Sequence, residues 1–595
     1  MEGDSLYYRK LSYKDMGLWK KGEEINVNVW APFAEKVEVE IDGGRIMGLE
    51  RNQFGIWAGS SNFEKDDKEY SIILNRKDRL PDPASKFLKN GVFGSSTIVD
   101  ENLGNAKDRG VNIDLRNAVM YELHTGTFSE SGDFDGITGK LDYLEDLGIN
   151  VIELMPIAQF EGRRNWGYDG VFPYAVQNSY GSISDLTNMI QQVHSRGISI
   201  ILDVVYNHTG PRGNVLNRFG PYFSNRYKSP WGNAMNFDDQ WSDYVRNFYI
   251  QNAIYWLDFY GFDGLRLDAV HGIYDNSPTH FLKELKIEVE RYFRNSNRKP
   301  LLIAESDANN PLTIGNIEHC GFGMDAQWCD DFHHTLHSFL TGENQGYYSD
   351  YGQSWQIVRA IESGYVYRGE YSGFLNRTRG LGISDYDPWQ LIVFSQNHDQ
   401  VGNRRNSDRN GSYYGNKKSL LFGAIYILSP YVPMIFMGEE FLSTDHFWFF
   451  IDTQDQKFAE TVRKGRNDEF SYFRNQGEIP EPNSEKAFIE SRLSWELLNG
   501  KDNREFLKMY RQLIEIRKKY RLGYGVRSEA TLSRETLNIK YFIDKNTELL
   551  CTFNLSGSSV NIDHMEGEVI AGSVNSLSDR HEMDGYGFRI LLCQN

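Results

Sequence analysis

Apolar and polar residues alternate one for one through residues 25–30 (INVNVW) and 36–41 (KVEVEI). A period of two puts one set of side chains on each face of an extended chain, so these runs predict short strands with one buried and one wet face. Glycine-rich turn signals separate the later short runs, and residues 1–95 are read as an N-terminal β-sandwich. Within it the proline-containing RLPDPASKF (79–87) marks a linker, or a crossing onto the next domain.

From about residue 115 the pattern changes. Short apolar runs, AVMYEL (118–123), VIELMPI (151–157), ISIILDVV (198–205), GLRLDAV (264–270), LLIAES (301–306), FGMDAQW (322–328), LIVFSQ (391–396) and PMIFMG (433–438), alternate with segments of helical period. SDLTNMIQQVHSRG reads as a helix with Ser184 as N-cap and Gly197 just past its end. SPTHFLKELKIEVERYF reads as another, with Ser277 as N-cap and Pro278 at the first helical position. Strands apolar on both faces and separated by helices indicate a parallel sheet covered by helices. Eight of them predict a (β/α)8 TIM barrel over residues 96–520. After the helical REFLKMYRQLIEIRKKY (504–520), the runs LNIKYFI, ELLCTF and FRILLC predict a C-terminal β-sandwich over 521–595. The expected fold is α/β, a barrel between two sandwiches.

Composition narrows the partners. A formal charge of −18 argues against nucleic acid or anionic membrane as the main partner, since either would need a basic face, and a neutral substrate is expected. No apolar run approaches the roughly 20 residues that span a bilayer. The N-terminal MEGDSLYYRK lacks the apolar core of a secretory leader, and a cytoplasmic protein is expected. Aromatic residues make up 14% of the chain, and exposed rings are what a neutral sugar stacks on. The cysteines, Cys320, Cys329, Cys551 and Cys593, are too scattered for a disulfide framework or a zinc site. Cys320 is expected to be accessible and the others buried. The chain is read as a monomer, or a homodimer if Cys320 pairs between copies. His333 and His334 beside Asp330 and Asp331 suggest a metal, but adjacent helical residues diverge too far to grip one ion. No metal and no cofactor are expected.

The candidate chemistry begins at FDGLRLDAVH (262–271), where Arg266 and Asp268 share one face of a strand that otherwise reads as core. That pair alone fits a structural ion pair equally well. In a barrel of this kind, however, the active site lies at the C-terminal ends of the strands. Four of them end in polar groups: Asp203, Asn207 and His208 in DVVYNH; Arg266, Asp268 and His271; Glu305 in AES; His398 and Asp399 in NHD. Singly, Asp203 could cap a loop, a lone histidine could be a satisfied core residue and Glu305 could be half of an ion pair. Together they concentrate like charge at one mouth, which a merely structural barrel has no need to do. Converging carboxylates repel, and burial adds to that, so at least one stays protonated near neutral pH. One ionised and one protonated carboxyl is what cleavage of a glycosidic bond requires. Arg266 favours an ionised Asp268, which makes Asp268 the expected nucleophile and Glu305 the expected acid/base.

The motifs DVVYNH, GLRLDAVH, AES and NHD, in this order and each at a predicted strand end, resemble the α-amylase superfamily, glycoside hydrolase family 13. The resemblance implies a retaining mechanism with Asp268, Glu305 and Asp399 as the catalytic set, Asp399 holding sugar hydroxyls. It also implies that Tyr168 of NWGYDG, His208, Arg266, His271 and His398 bind substrate or support the site. VNVWAPFAEKVEVEI is similar to the sandwich that precedes the barrel in branching, debranching and trehalose-releasing members. The stretches ELMPIAQFEGRRNWGYDGVFPYAVQNSYG, DNSPTHFLKEL, DAQWCDDFHHTLH and QNHDQVGNR look like the trehalose-releasing ones. A branching enzyme is expected to carry SHDE-like and WGYQ motifs where this chain has NHDQ and WGYD. The implied reaction is hydrolysis of the α-1,4 bond joining a malto-oligosaccharide to the terminal trehalose of malto-oligosyltrehalose. A 1,4-α-glucan branching transferase and a catalytically silent glucan-binding protein are the other readings.

Overall fold

The computed structural model describes residues 10–104, 110–382, 386–470, 480–562, 566–573 and 582–594. The reading of the N-terminal stretch rests on residues 1–9, outside that range.

Eight strands close into a barrel: Met120–Leu123, Val151–Leu154, Ser199–Val204, Gly264–Leu267, Leu301–Ala304, Ala326–Trp328, Leu391–Val393 and Val432–Phe436. They pair in chain order, all parallel, and the last pairs with the first. Each lies within, or one residue beyond, the run that predicts it. Register decides what faces inward. Met120, Val151, Ile201, Ile303, Ala326, Ile392 and Val432 cluster with Trp328 and Phe394 in the interior. Side chains two positions further along a strand share its face, so Glu122, Glu153, Asp203 and Arg266 enter the same interior one layer nearer the C-terminal mouth. All four are buried. The barrel thus has an apolar lower layer and a charged upper one.

Two helix starts differ from expectation. The helix Ile183–Ser195 is capped by Ser182, not Ser184: the Ser182 hydroxyl accepts from the Asp185 amide while Asp185 accepts from the Ser182 amide. This capping box satisfies two orphan donors at once, which Ser184, exposed inside the first turn, does not. Gly197 takes the left-handed φ of +69° expected past the helix end. The helix Phe281–Phe293 starts at His280, whose ring nitrogen accepts from the Leu282 amide. Ser277 is engaged earlier, its amide bonding Asp275 and its hydroxyl the Thr279 carbonyl, so it belongs to a turn ahead of the helix.

The N-terminal strands form two antiparallel sheets. One joins Gly17–Lys21, Glu24–Trp30, Ile56–Asn62 and Glu50–Arg51; the other joins Arg45–Gly48, Val37–Ile41, Glu69–Leu74, Asp78–Leu80 and Ser96–Thr97. RLPDPASKF is a packed crossing, not a free linker. Its Asp82 accepts from the Tyr70 hydroxyl at 2.7 Å, and its buried Lys86 lies 4.7 Å from the Trp19 ring and 4.8 Å from that of Tyr174. Trp30 stacks on Tyr244 at 4.4 Å to complete the seam with the barrel.

Beyond the helix Lys501–Lys519, strands Ser528–Ser533, Thr536–Phe542, Thr547–Asn554, Phe588–Gln594 and Glu568–Gly572 form the C-terminal sheet. The buried Arg517 ties that helix to the Ile427 and Ser429 carbonyls behind the last barrel strand. Among the described residues, no helix is long and apolar enough to cross a membrane. The four cysteines are free thiols; Cys320 is exposed and the other three are buried.

Candidate active site

The charged upper layer centres on Arg266, which is fully buried. Its Nη1 donates to both oxygens of Asp203, at 2.9 and 2.8 Å, and to Asp268 Oδ1 at 3.0 Å. Its Nη2 lies 3.0 Å from Glu305 Oε2, an ion contact without hydrogen-bond alignment. The guanidinium carbon sits 4.1 Å from the centre of the Trp328 ring, which closes one face of the group. One guanidinium therefore holds carboxylates from the third, fourth and fifth strands.

Asp268 is fixed from both sides, because Asn207 Nδ2 donates to its Oδ2 at 2.8 Å. The next residue, Ala269, adopts a left-handed φ of +38°. That conformation is disfavoured for a residue with a Cβ, at a cost of about 1–3 kcal/mol, and such strain collects at functional sites. Here it turns the Ala269 amide onto Glu305 Oε2 at 2.6 Å. Burial raises the Glu305 carboxyl well above the usual range, and Asp268 and Asp399 push it further, against the pull of Arg266.

His398 begins a short helix capped by Asn397. Its Nδ1 meets Glu122, and its Nε2 lies 2.9 Å from the Tyr168 hydroxyl and 3.5 Å from Asp399 Oδ2. Burial alone would lower its pKa, but Asp399 and Glu122 outweigh it and raise it to about 9. The ring is therefore an imidazolium at neutral pH, donating from both nitrogens. Tyr168 in turn donates to Asp203 at 2.6 Å and lies over the His398 ring at 5.2 Å. Asp203 is raised to about 6 by burial, with Arg266 opposing. His208 contacts Asn207 through Nδ1 and stacks on Trp231 at 4.8 Å; burial lowers its pKa against the opposing charges of Asp268 and Asp169.

The structure brings Asp268, Glu305, Asp399, Tyr168, His208, Arg266 and His398 into one network of contacts and close charges. His271 stands at the rim, 41% exposed, its Nδ1 3.8 Å from Asp307 Oδ1. The sequence reading missed Glu122 and Glu153. Both follow the same alternation that exposed Arg266, being polar residues on the inward face of MYEL and VIEL. Neither oxygen of Glu153 finds a partner among the described residues, and burial, then Glu122, raises this carboxyl well above its usual range. Asp330 was read only as a possible metal ligand. It is half-buried, and desolvation, then Asp307 and Asp399, raises it to about 7. Its neighbours are committed elsewhere: Asp331 accepts from Asn309, Tyr351 and two backbone amides, and His333 bonds the Ser395 carbonyl and Tyr348. Among the described residues, no cluster of three or more His, Cys, Asp or Glu side chains is placed to hold a metal ion.

A closed parallel barrel with ionisable carboxyls gathered at its C-terminal mouth is the layout of an α-amylase-type glycoside hydrolase, and the family description "Alpha amylase, catalytic domain" matches residues 105–230. The crystal structure of a Salmonella typhimurium protein described as an alpha amylase superposes with a TM-score of 0.89 at 31% identity, covering 97% of this chain and 99% of the other. A malto-oligosyltrehalose trehalohydrolase from Saccharolobus solfataricus is 43% identical over 84% of this chain and 86% of its own length. One from a Rhizobium species (strain M-11) is 36% identical over the same shares, 84% and 86%. The chain belongs to the malto-oligosyltrehalose trehalohydrolases of the α-amylase family, and it is a glycoside hydrolase.

Proposed function

We propose that this hydrolase cleaves the α-1,4 bond next to the terminal trehalose of malto-oligosyltrehalose, releasing trehalose and a malto-oligosaccharide with retention of configuration. The observation that carries the mechanism is the shared hold of Arg266 on Asp268 and Glu305, with Asp268 accepting hydrogen bonds on both oxygens and the Glu305 carboxyl raised by its surroundings.

In this reading the ionised Asp268 attacks the anomeric carbon as Glu305 gives its proton to the departing O4 of trehalose. The C–O bond breaks and a covalent glycosyl ester on Asp268 forms. Glu305, now ionised, takes a proton from water, whose oxygen attacks the same carbon and frees Asp268. Asp399, beside the imidazolium of His398, accepts hydrogen bonds from sugar hydroxyls. Tyr168 offers its ring to the sugar while its hydroxyl stays with Asp203. The choice of substrate is supported by the likeness to trehalohydrolases along most of the chain. Four free cysteines suit the reducing cytoplasm, where we place the protein.

The test is to supply trehalose-capped and uncapped maltodextrin in parallel and identify the products. Free trehalose from the first, with the second nearly untouched, is expected. New α-1,6 branches would make the protein a branching transferase, and no turnover of either glucan would make it a binding protein.

A further inference from the structure

Two strongly exposed aromatic side chains meet where the N-terminal sheets reach the barrel. Phe33 is 65% exposed and Trp241 41%, with ring centroids 5.7 Å apart and planes at 85°. The seam does not need them. Three residues before Phe33, the buried Trp30 stacks on Tyr244 and packs edge-on against Tyr222, so the join is already made beneath the exposed pair. Trp241 also holds a left-handed φ of +69°, a conformation bulky residues rarely adopt. A strained backbone that presents a large ring to water gains little from packing, and such exposed apolar groups commonly mark binding surfaces.

The pair lies on the catalytic side. Trp241 precedes the helix Ser242–Tyr255 that leads into the fourth barrel strand, and helices in such a barrel start at the mouth where the strands end. Contacts joined by short steps along the chain run back to the site. Asp238, three residues before Trp241, accepts from the Tyr227 hydroxyl at 2.8 Å and the Asn276 amide at 2.9 Å. Tyr227 stacks at 5.4 Å on Tyr274, itself 37% exposed. Tyr274 follows Gly272, against which the Trp231 ring lies so closely that a Cβ there would come within 3.3 Å of it. Trp231 stacks on His208 inside the site.

We propose that Phe33 and Trp241 form a second sugar-binding platform, outside the catalytic site, that takes the far pyranose rings of an α-1,4-glucan chain leaving the site past His208 and Tyr274. The proposal rests on the glucan reading above. Pyranose rings are neutral and present C–H faces to aromatic rings, so the chain's net charge of −18 does not oppose them. Gln240 and Glu35, both exposed and close in sequence to the two rings, are hydrogen-bonding groups suited to hydroxyls.

The test is Phe33→Ala, a substitution at an exposed position that removes no core contact. On long trehalose-capped chains KM is expected to rise about three- to tenfold, with kcat unchanged, since one aromatic contact is lost. On the shortest capped substrate, which ends before the platform, KM should stay as in the wild type. Retardation of the wild type in a gel containing soluble amylose, weakened in Phe33→Ala, tests the platform even if trehalose is not the group released. Equal KM changes for both lengths, unchanged KM for both, or a shift in oligomeric state in place of glucan affinity would overturn the proposal.

Discussion

Asp268 and Glu305 lie one strand apart on the same guanidinium, and their surroundings differ. Asp268 faces donors on both oxygens, from Arg266 and Asn207. Glu305 is half-buried, and desolvation, with the charges of Asp268 and Asp399, raises it. Asp268→Asn and Glu305→Gln should each lower kcat by about a thousandfold or more while the folded circular dichroism spectrum is kept, because transition-state charge or a proton is lost and packing is not. On an α-glycosyl fluoride, whose leaving group needs no proton, Glu305→Gln should recover the first step, seen as a burst of fluoride, while hydrolysis of the glycosyl ester stays slow because its base is gone. Activity should fall on the alkaline side as the raised Glu305 loses its proton. The Glu153 carboxyl, unpartnered among the described residues and pushed up by burial, is expected to be neutral. Glu153→Gln should keep kcat/KM within about threefold and leave the alkaline limb in place. A large loss or a displaced limb would mean that Glu153 carries charge.

At the scale of the element, alternation made every barrel strand legible, because strands buried on both faces stand out between helical segments. It also made Arg266 and Asp268 conspicuous, and with the same logic Glu122 and Glu153 were readable and went unread. Helix starts were less legible, since serines near a start compete for the same role. Ser182 lies one residue ahead of the apolar stripe and Ser184 inside it; only the reciprocal bond with Asp185 separates them. Ser277 satisfies its own turn and leaves the cap to His280, a residue type that carries no strong capping signal. Ser182→Ala should therefore cost about 1 kcal/mol in urea unfolding, and Ser184→Ala less than about 0.5 kcal/mol. The reverse order would restore the sequence reading.

Across the whole molecule, the site's charges are also stability terms. The raised pKa of His398, from 6.5 to about 9, means its imidazolium stabilises the fold fully below pH 6.5, and that contribution is lost as pH rises through about 9. The gap in unfolding midpoint between wild type and His398→Gln should be wide near pH 6 and narrow near pH 10. The net charge of −18 should matter little to a neutral glucan. KM is expected to stay nearly constant as salt rises from low to physiological strength, whereas a marked rise would indicate steering of a charged ligand.

The central claim is double displacement at one anomeric carbon by two carboxyls sharing Arg266. Proton NMR of the first moments of hydrolysis, before mutarotation, tests it most directly. The new reducing end of the malto-oligosaccharide is expected to appear as the α-anomer. A β-anomer appearing first would mean that water attacks directly, and the assignment of Asp268 as nucleophile would fail.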